Sequence, residues 1–387
     1  MATTHPVAKH SSFELPLHVS VQPGAPEQLD AFAAAAAPEH RFLGSGWFAA
    51  AGAQATLLAT RGDGLPVAAI PTAPVGPAQL GARTVVGSYW PFRSVPVAAE
   101  ASTADLERLF SHKRTQRALG LVWRMGPFYR DDAGAARLVA AARNSGWSVL
   151  ERAVGHTFLL GVEAAQQQGP WPRPSTLKRI GNYERQLARE GALRFERVEG
   201  AGWTARVFDA LATLEDASWI AERTDGTGAK FLNPGNRAFW EAAAGHEQLR
   251  EMMSALILWL GERPVAFCFD LNVGTLQYSI AGSYDQGFAK MKPGKIATYR
   301  NLAWALERGI TRIDLGTGDS GYKSEMGAVQ GPEIVDCLFV RSPALATVLR
   351  MRWENGRESE GDPQFGRLEK LLIASLATAA TAVALSE

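Results

Sequence analysis

The chain has 387 residues, 46% hydrophobic and 20% charged, a balance that supports a sizeable core and excludes a mainly disordered chain. Its 40 basic and 39 acidic residues leave a net charge of +1, which argues against a broad electrostatic footprint for nucleic acid but leaves room for local basic patches. Two cysteines, Cys268 and Cys337, form neither a disulfide framework nor a zinc site by themselves, and a reducing compartment, the cytoplasm, is the expectation.

The opening MATTHPVAKHSSFELP lacks the continuous apolar core of a secretory signal. ATLLAT and LPVAAIPTA read as strands around the turn RGDG. STADLERLFSHKRTQRA reads as one helix, because Ser102 stands three residues before Asp105 in a capping-box spacing. GLVWRM is a strand, DAGAARLVAAARNSG a helix stopped by Gly146, and SVLERAVGHTFLLGV one or two strands. The run AAQQQGPWPRP then reads as a connector.

A basic helix follows, STLKRIGNYERQLAREG, with Ser175 as its cap and Gly191 as its stop. LRFERVE is a short strand, and helical stretches lie around residues 203–221 and 236–245. SALILWL, PVAFCFDLNV and TLQYSIAGSY are separated by the short turns GERP and NVGT, which predicts an antiparallel meander. The loop DQGFAKMKPG feeds the helix KIATYRNLAWALERG and then the strand ITRIDLG. Strand, crossover helix and strand make the last two strands parallel. EIVDCLFVR adds a strand. The final LLIASLATAATAVALS is broken by Ser and Thr and falls short of the roughly 20 apolar residues that span a bilayer. It is expected to pack on the body, with contact at a membrane surface as the alternative.

Two segments carry chemistry. KMKPGK, residues 290–295, sits between a strand and a helix, where free N–H groups and partial positive charge bind anions. Gly294 permits close approach, and Lys290, Lys292 and Lys295 concentrate cations in a neutral chain. The competing reading is an ordinary turn with solvated lysines. Neither GxxxxGK[ST] nor GxGxxG is present, nor HExxH nor GxSxG, so no metal is expected and neither an NTPase, a nicotinamide enzyme nor a serine hydrolase is favoured. DLGTGDSGYKSEMG, residues 314–327, follows the parallel strand's C-terminal end, where ligands of open α/β sheets gather. Asp314, Asp319 and Glu325 offer carboxylates, Tyr322 a phenol and Lys323 an amine. On the basic helix Lys178, Arg179 and Arg185 either meet an anionic ligand or form a solvated face. Trp219 is either core or pocket wall, and SYWPFRS, residues 88–94, either a sugar-stacking or an interdomain patch.

These residues resemble a known family. The meander, YDQGFAKMKPGKIATYRNLAWALERGI and RIDLGTGDSGYKSEMG together look like the GNAT acetyltransferase fold. NYERQLAREGALRFERVE and EDASWIAERTDGTGAKF narrow the resemblance to CelD/BcsL-type proteins associated with cellulose and exopolysaccharide biosynthesis. The resemblance implies an α/β (α+β) fold with two tandem GNAT-like domains, each a mixed, mostly antiparallel sheet flanked by helices. Residues 1–165 would be a degenerate first copy, 166–345 the acyltransferase domain and 346–387 a helical tail. It implies acetyl-CoA or another acyl-CoA as co-substrate. The pyrophosphate would sit on Lys292, Gly294, Lys295, Ile296 and Ala297, with the backbone N–H groups of Lys295, Ile296 and Ala297 doing most of the binding. A backbone N–H near residues 281–283 would polarise the thioester carbonyl. Asp319 would accept the nucleophile's proton, Tyr322 would protonate the thiolate and Lys323 would orient the donor or neutralise charge. Lys178, Arg179, Trp219 and Tyr284 would line the acceptor side. The acceptor would be a small molecule or glycan: a sugar, a glycolipid or a small amine. The chain departs from the family loop at Met291, where Gln or Arg is usual, and at Ile296, where Gly or Ala is usual. Two alternatives are an aminoacyl transfer like that of Fem-type proteins and a non-catalytic accessory protein.

Overall fold

The structure, a computed structural model, describes residues 15–76, 81–87, 93–218, 228–318 and 321–354. The first half contains β1 (Leu17–Pro23), α1 (Leu29–Ala35), α2 (Ser45–Ala50), β2 (Ala55–Arg61), β3 (Pro66–Pro74), β4 (Arg83–Val85), α3 (Thr103–Ser111), α4 (Lys113–Leu119), β5 (Val122–Tyr129), α5 (Ala133–Asn144) and β6 (Ser148–Gly161). The second contains α6 (Val162–Gln167), α7 (Pro174–Leu187), β7 (Leu193–Glu199), α8 (Ala205–Asp216), α9 (Pro234–Gly245), α10 (Glu247–Met252), β8 (Met253–Leu260), β9 (Arg263–Val273), β10 (Leu276–Tyr284), α11 (Pro293–Glu307), β11 (Arg312–Thr317), α12 (Tyr322–Glu325), β12 (Val329–Val340) and α13 (Pro343–Glu354).

Local chemistry accounts for the boundaries. The Ser102 hydroxyl accepts the Asp105 N–H at 3.1 Å and the Asp105 carboxylate accepts the Ser102 N–H at 3.0 Å, the reciprocal cap expected of α3. The single helix expected over 102–118 is two. His112 takes extended backbone, and its Nδ1 accepts the Arg114 N–H at 3.2 Å, so it caps a new helix, α4. The basic helix starts one residue before its expected cap, because Pro174 occupies the first helical position and its missing N–H costs nothing there. SVLERAVGHTFLLGV forms one 14-residue strand. The meander β8–β9–β10 is antiparallel, turning through Gly261 at φ 59° and Gly274 at φ 60°.

All twelve strands join one sheet in the order β1-β2-β3-β4-β5-β12-β6-β11-β10-β9-β8-β7. The parallel neighbours are β4 with β5 and β10 with β11; the other pairs are antiparallel. Adding six to each strand number, cyclically, reverses this order. The topology is therefore a repeat about a pseudo-two-fold between β12 and β6, and each half's last strand is exchanged into the other. Two tandem GNAT-like sheets are fused through that exchange.

Cores cover both faces. Ala255 and Ile257 of β8 enter one with Phe208, Trp240 and most of the first half. Leu256 and Leu258 enter the other with α7 and α11. Burial on both sides is why SALILWL reads as an unbroken apolar run rather than an alternation. A third, small core seats Trp353 of α13 over Arg124 and Arg152, 5.7 and 4.4 Å from its ring centroid. Among the described residues no helix is long and apolar enough to cross a membrane, and no His, Cys, Asp and Glu group is placed to hold a metal.

Candidate functional site

The site grows out of an opening between two strands. β10 and β11 stay in register only over Leu276–Arg312, Gln277–Ile313 and Tyr278–Asp314. Beyond Tyr278, β10 bulges against β9 between Ser279 and Ala281, and β11 slips against β6 between Asp314 and Thr317. The remainder of β10, including residues 281–283, has no ladder partner on its β11 side.

The N-terminus of α11 stands at this open end. A 3-10 turn (Gln286–Met291) leads into it, capped by Asp285, whose carboxylate accepts the Gly287 N–H at 2.8 Å. Lys292 then adopts the left-handed conformation at φ 55°, the single non-glycine with positive φ among the described residues. Such a backbone costs about 1–2 kcal/mol and concentrates at functional loops. The Ile296 N–H donates to the Lys292 carbonyl at 3.2 Å, and Pro293 has no N–H. The free donors of the first turn are thus on Gly294 and Lys295. Ile296 and Ala297, expected to donate there, are fully buried core side chains, and their N–H groups belong to the helix. Gly294 is required by packing: a Cβ there would lie 2.8 Å from the ring of Tyr284, the last residue of β10.

Glu325 of α12 gathers the surrounding cations. It accepts Lys295 Nζ at 2.5 Å and an Arg179 guanidinium N–H at 2.6 Å. These donors, Lys295 first, hold its carboxyl below the usual carboxylate range. Arg179 of the basic helix thereby reaches the α11 turn, whereas Lys178 and Lys292 are exposed. Tyr322 is 41% exposed at the same rim. Lys323 differs from expectation. It is buried, and its ammonium donates to the carbonyls of Gly316 at 2.9 Å and Thr317 at 2.8 Å. Its ammonium ties down the glycine-rich turn. Asp319 and Trp219 lie outside the described residues, as do residues 88–92 of the aromatic motif and the C-terminal run.

Two buried carboxylates flank the opening. Asp270 of β9 accepts Ser279 Oγ at 3.0 Å and Asn301 Nδ2 at 2.8 Å, and burial pushes it up to about 6. Asp314 accepts the Thr157 hydroxyl and the Gly316 N–H at 2.8 Å, and burial pushes it up to about 7. Thr157 lies on β6, and nothing in the sequence near Asp314 announces that pairing.

Residues 174–324 match the family model described as an acetyltransferase (GNAT) domain. The chain is similar to the crystal structure of FemX, with a TM-score of 0.53 at 11% identity over 86% of this chain and 100% of that one. It is similar also to L-PGS from Bacillus licheniformis, with a TM-score of 0.50 at 15% identity over 87% of this chain and 98% of that one. No curated protein matches the chain. The fold is that of a GNAT-domain acetyltransferase.

Proposed function

We propose that the second half transfers an acyl group from acyl-CoA directly to a sugar, glycolipid or small amine. The observation that carries this reading is the parting of β10 and β11 at the free N-terminus of α11. A thioester needs a slot in which to lie and an anion site for its pyrophosphate, and both meet there. The N–H groups of Gly294 and Lys295, with Lys292 and Lys295, would hold the pyrophosphate. An unladdered N–H between residues 281 and 283 would stabilise the developing oxyanion, and Tyr322 would protonate the departing thiolate. Lys178, Arg179, Tyr284 and Trp219 remain candidates for the acceptor side, and Asp319 is the resemblance's candidate for accepting the nucleophile's proton. The CelD/BcsL-type resemblance points the acceptor toward polysaccharide synthesis.

A second reading, a non-catalytic accessory protein, is favoured by Glu325, which already occupies Lys295 and Arg179. Calorimetric titration with CoA, acetyl-CoA and longer acyl-CoAs separates the two. Saturable binding that weakens when Lys295 is changed to Glu supports transfer. A folded protein that binds no acyl-CoA refutes it.

A further inference from the structure

Asp314 closes the paired part of β11, opposite Tyr278. Its neighbours Ile313 and Leu315 pack on the α11 side, while Tyr278 packs in the opposite core. Strand alternation therefore turns Asp314 to the face away from α11. It is fully buried there. Oδ1 holds the Thr157 hydroxyl and the Gly316 N–H, but Oδ2 is buried with no hydrogen-bond partner. A buried carboxylate oxygen left open is costly, and a water or a functional role is needed to account for it.

The internal repeat supplies a control. In the first half the last residue pair of the β4–β5 ladder is Thr84–Arg124, the counterpart of Tyr278–Asp314. Arg124 pairs with Leu338 of β12 as Asp314 pairs with Leu159 of β6. Two residues before those partners stand Asp336 and Thr157. Asp336 accepts from Arg124 Nε at 2.9 Å, as Thr157 donates to Asp314. In one copy this position is a neutralised ion pair. In the other it is a carboxylate with one open oxygen at the floor of the strand opening.

We infer that Asp314, through one water on Oδ2, takes the acceptor's proton during acyl transfer, the role otherwise given to Asp319. The inference rests on the acyl-CoA reading above. A donor entering the opening from the α11 face leaves its carbonyl carbon open to attack from the other face, where Asp314 stands. The acceptor's nitrogen or oxygen forms a bond to that carbon and the C–S bond breaks. The nucleophile's proton passes through the water to Asp314, and the thiolate takes a proton from Tyr322. Solvent then restores both groups. The groups around Asp314 suit this. Tyr278 is spent on the Glu39 carbonyl at 3.4 Å, Glu39 is paired with Arg312 at 2.6 Å, Thr157 is a neutral donor and Lys323 is tied to two carbonyls. A carboxyl poised near neutrality is matched to accepting a proton at working pH.

The test uses the full chain and four variants, Asp314→Asn, Asp314→Ser, Thr157→Val and Asp319→Asn. Acetyl-CoA binding is measured by calorimetry. CoA release is followed with a thiol-reactive dye from pH 5.5 to 9, with water, primary amines or amino sugars as acceptor. All variants should bind acetyl-CoA within about threefold of wild type. Wild-type release should rise with pH to a plateau, with a midpoint near neutrality. Asp314→Asn and Asp314→Ser should lose at least about a hundredfold in rate and lose the midpoint, and either one alone decides if the other fails to fold. Thr157→Val removes a donor that favours the ionised form, so its midpoint should move up with the plateau kept, which a merely structural role would not produce. Asp319→Asn is the competing arm: loss of the midpoint in that variant while the Asp314 variants keep it overturns the inference. Wild-type rates in both Asp314 variants overturn the inference. So does a wild-type protein that binds acetyl-CoA and releases no thiol, although the acyl-CoA reading then stands. A wild-type protein that does not bind acetyl-CoA overturns both.

Discussion

Replacing Asp314 with asparagine should stabilise the folded chain at pH 8 relative to pH 5. An aspartate titrates near 3.9 in an unfolded chain. Burial raises the folded value to about 7. Between those values the unfolded chain releases the proton while the folded chain keeps it, so stability falls as pH rises and the full cost is reached above pH 7. Three pH units at 1.36 kcal/mol each bring that cost to about 4 kcal/mol, and about 2.3 kcal/mol of it falls between pH 5 and pH 7, where the folded carboxyl is half ionised. Asparagine keeps an oxygen for the Gly316 N–H and the Thr157 hydroxyl but buries an unmatched N–H, a constant penalty of about 1–3 kcal/mol. The constant cancels in the difference between two pH values. The variant's stability relative to wild type should thus improve by about 2–3 kcal/mol from pH 5 to pH 8. Urea unfolding at both pH values, followed by the fluorescence of the 11 tryptophans, measures it. A relative stability constant within about 0.5 kcal/mol would show that Asp314 is ionised throughout and held by Lys323, and would refute the reasoning.

Three other changes have defined outcomes. Glu325→Gln frees Lys295 and Arg179, and should tighten acyl-CoA binding about threefold to tenfold at low salt in a calorimetric titration. Gly294→Ala forces the Tyr284 ring aside, and should cost about 1–3 kcal/mol in urea unfolding and at least tenfold in acyl-CoA affinity. Arg124→Met leaves Asp336 buried with Arg152 alone at 2.9 Å, and should cost about 3–5 kcal/mol in urea unfolding, most of it recovered in the Arg124→Met, Asp336→Leu double variant.

What could be read from the sequence was what depends on neighbours along the chain. The meander and its turns, the α11 crossover and the α3 cap follow from spacing, and they stand where expected. The helix break at His112 was missed because the side chain that recaps the chain sits inside an otherwise helical pattern. The burial of Lys323 and Ile296 could not be read. A lysine in a polar loop looks exposed until Phe158, from another half, and two turn carbonyls close around it. The departure at Ile296 is a packing fact, because the residue fills the core beneath the turn and leaves the donors to Gly294 and Lys295. The strand exchange had no local signal at all, since β6 reaches β11 and β12 across more than 150 residues.

That exchange ties the two halves energetically as well as topologically. The Thr157 that orients Asp314 belongs to the first half, and the Asp336 that neutralises Arg124 belongs to the second. Neither copy can complete this position from its own strands. The first copy gains a salt bridge sealed beneath Trp353, an arrangement fitted to hold α13 on the sheet. The second keeps a carboxylate that weakens the fold at neutral pH. That unpaired carboxylate oxygen, at the place where β10 and β11 part, is what distinguishes the second strand opening from its twin in the first half, where the matching position is an ion pair.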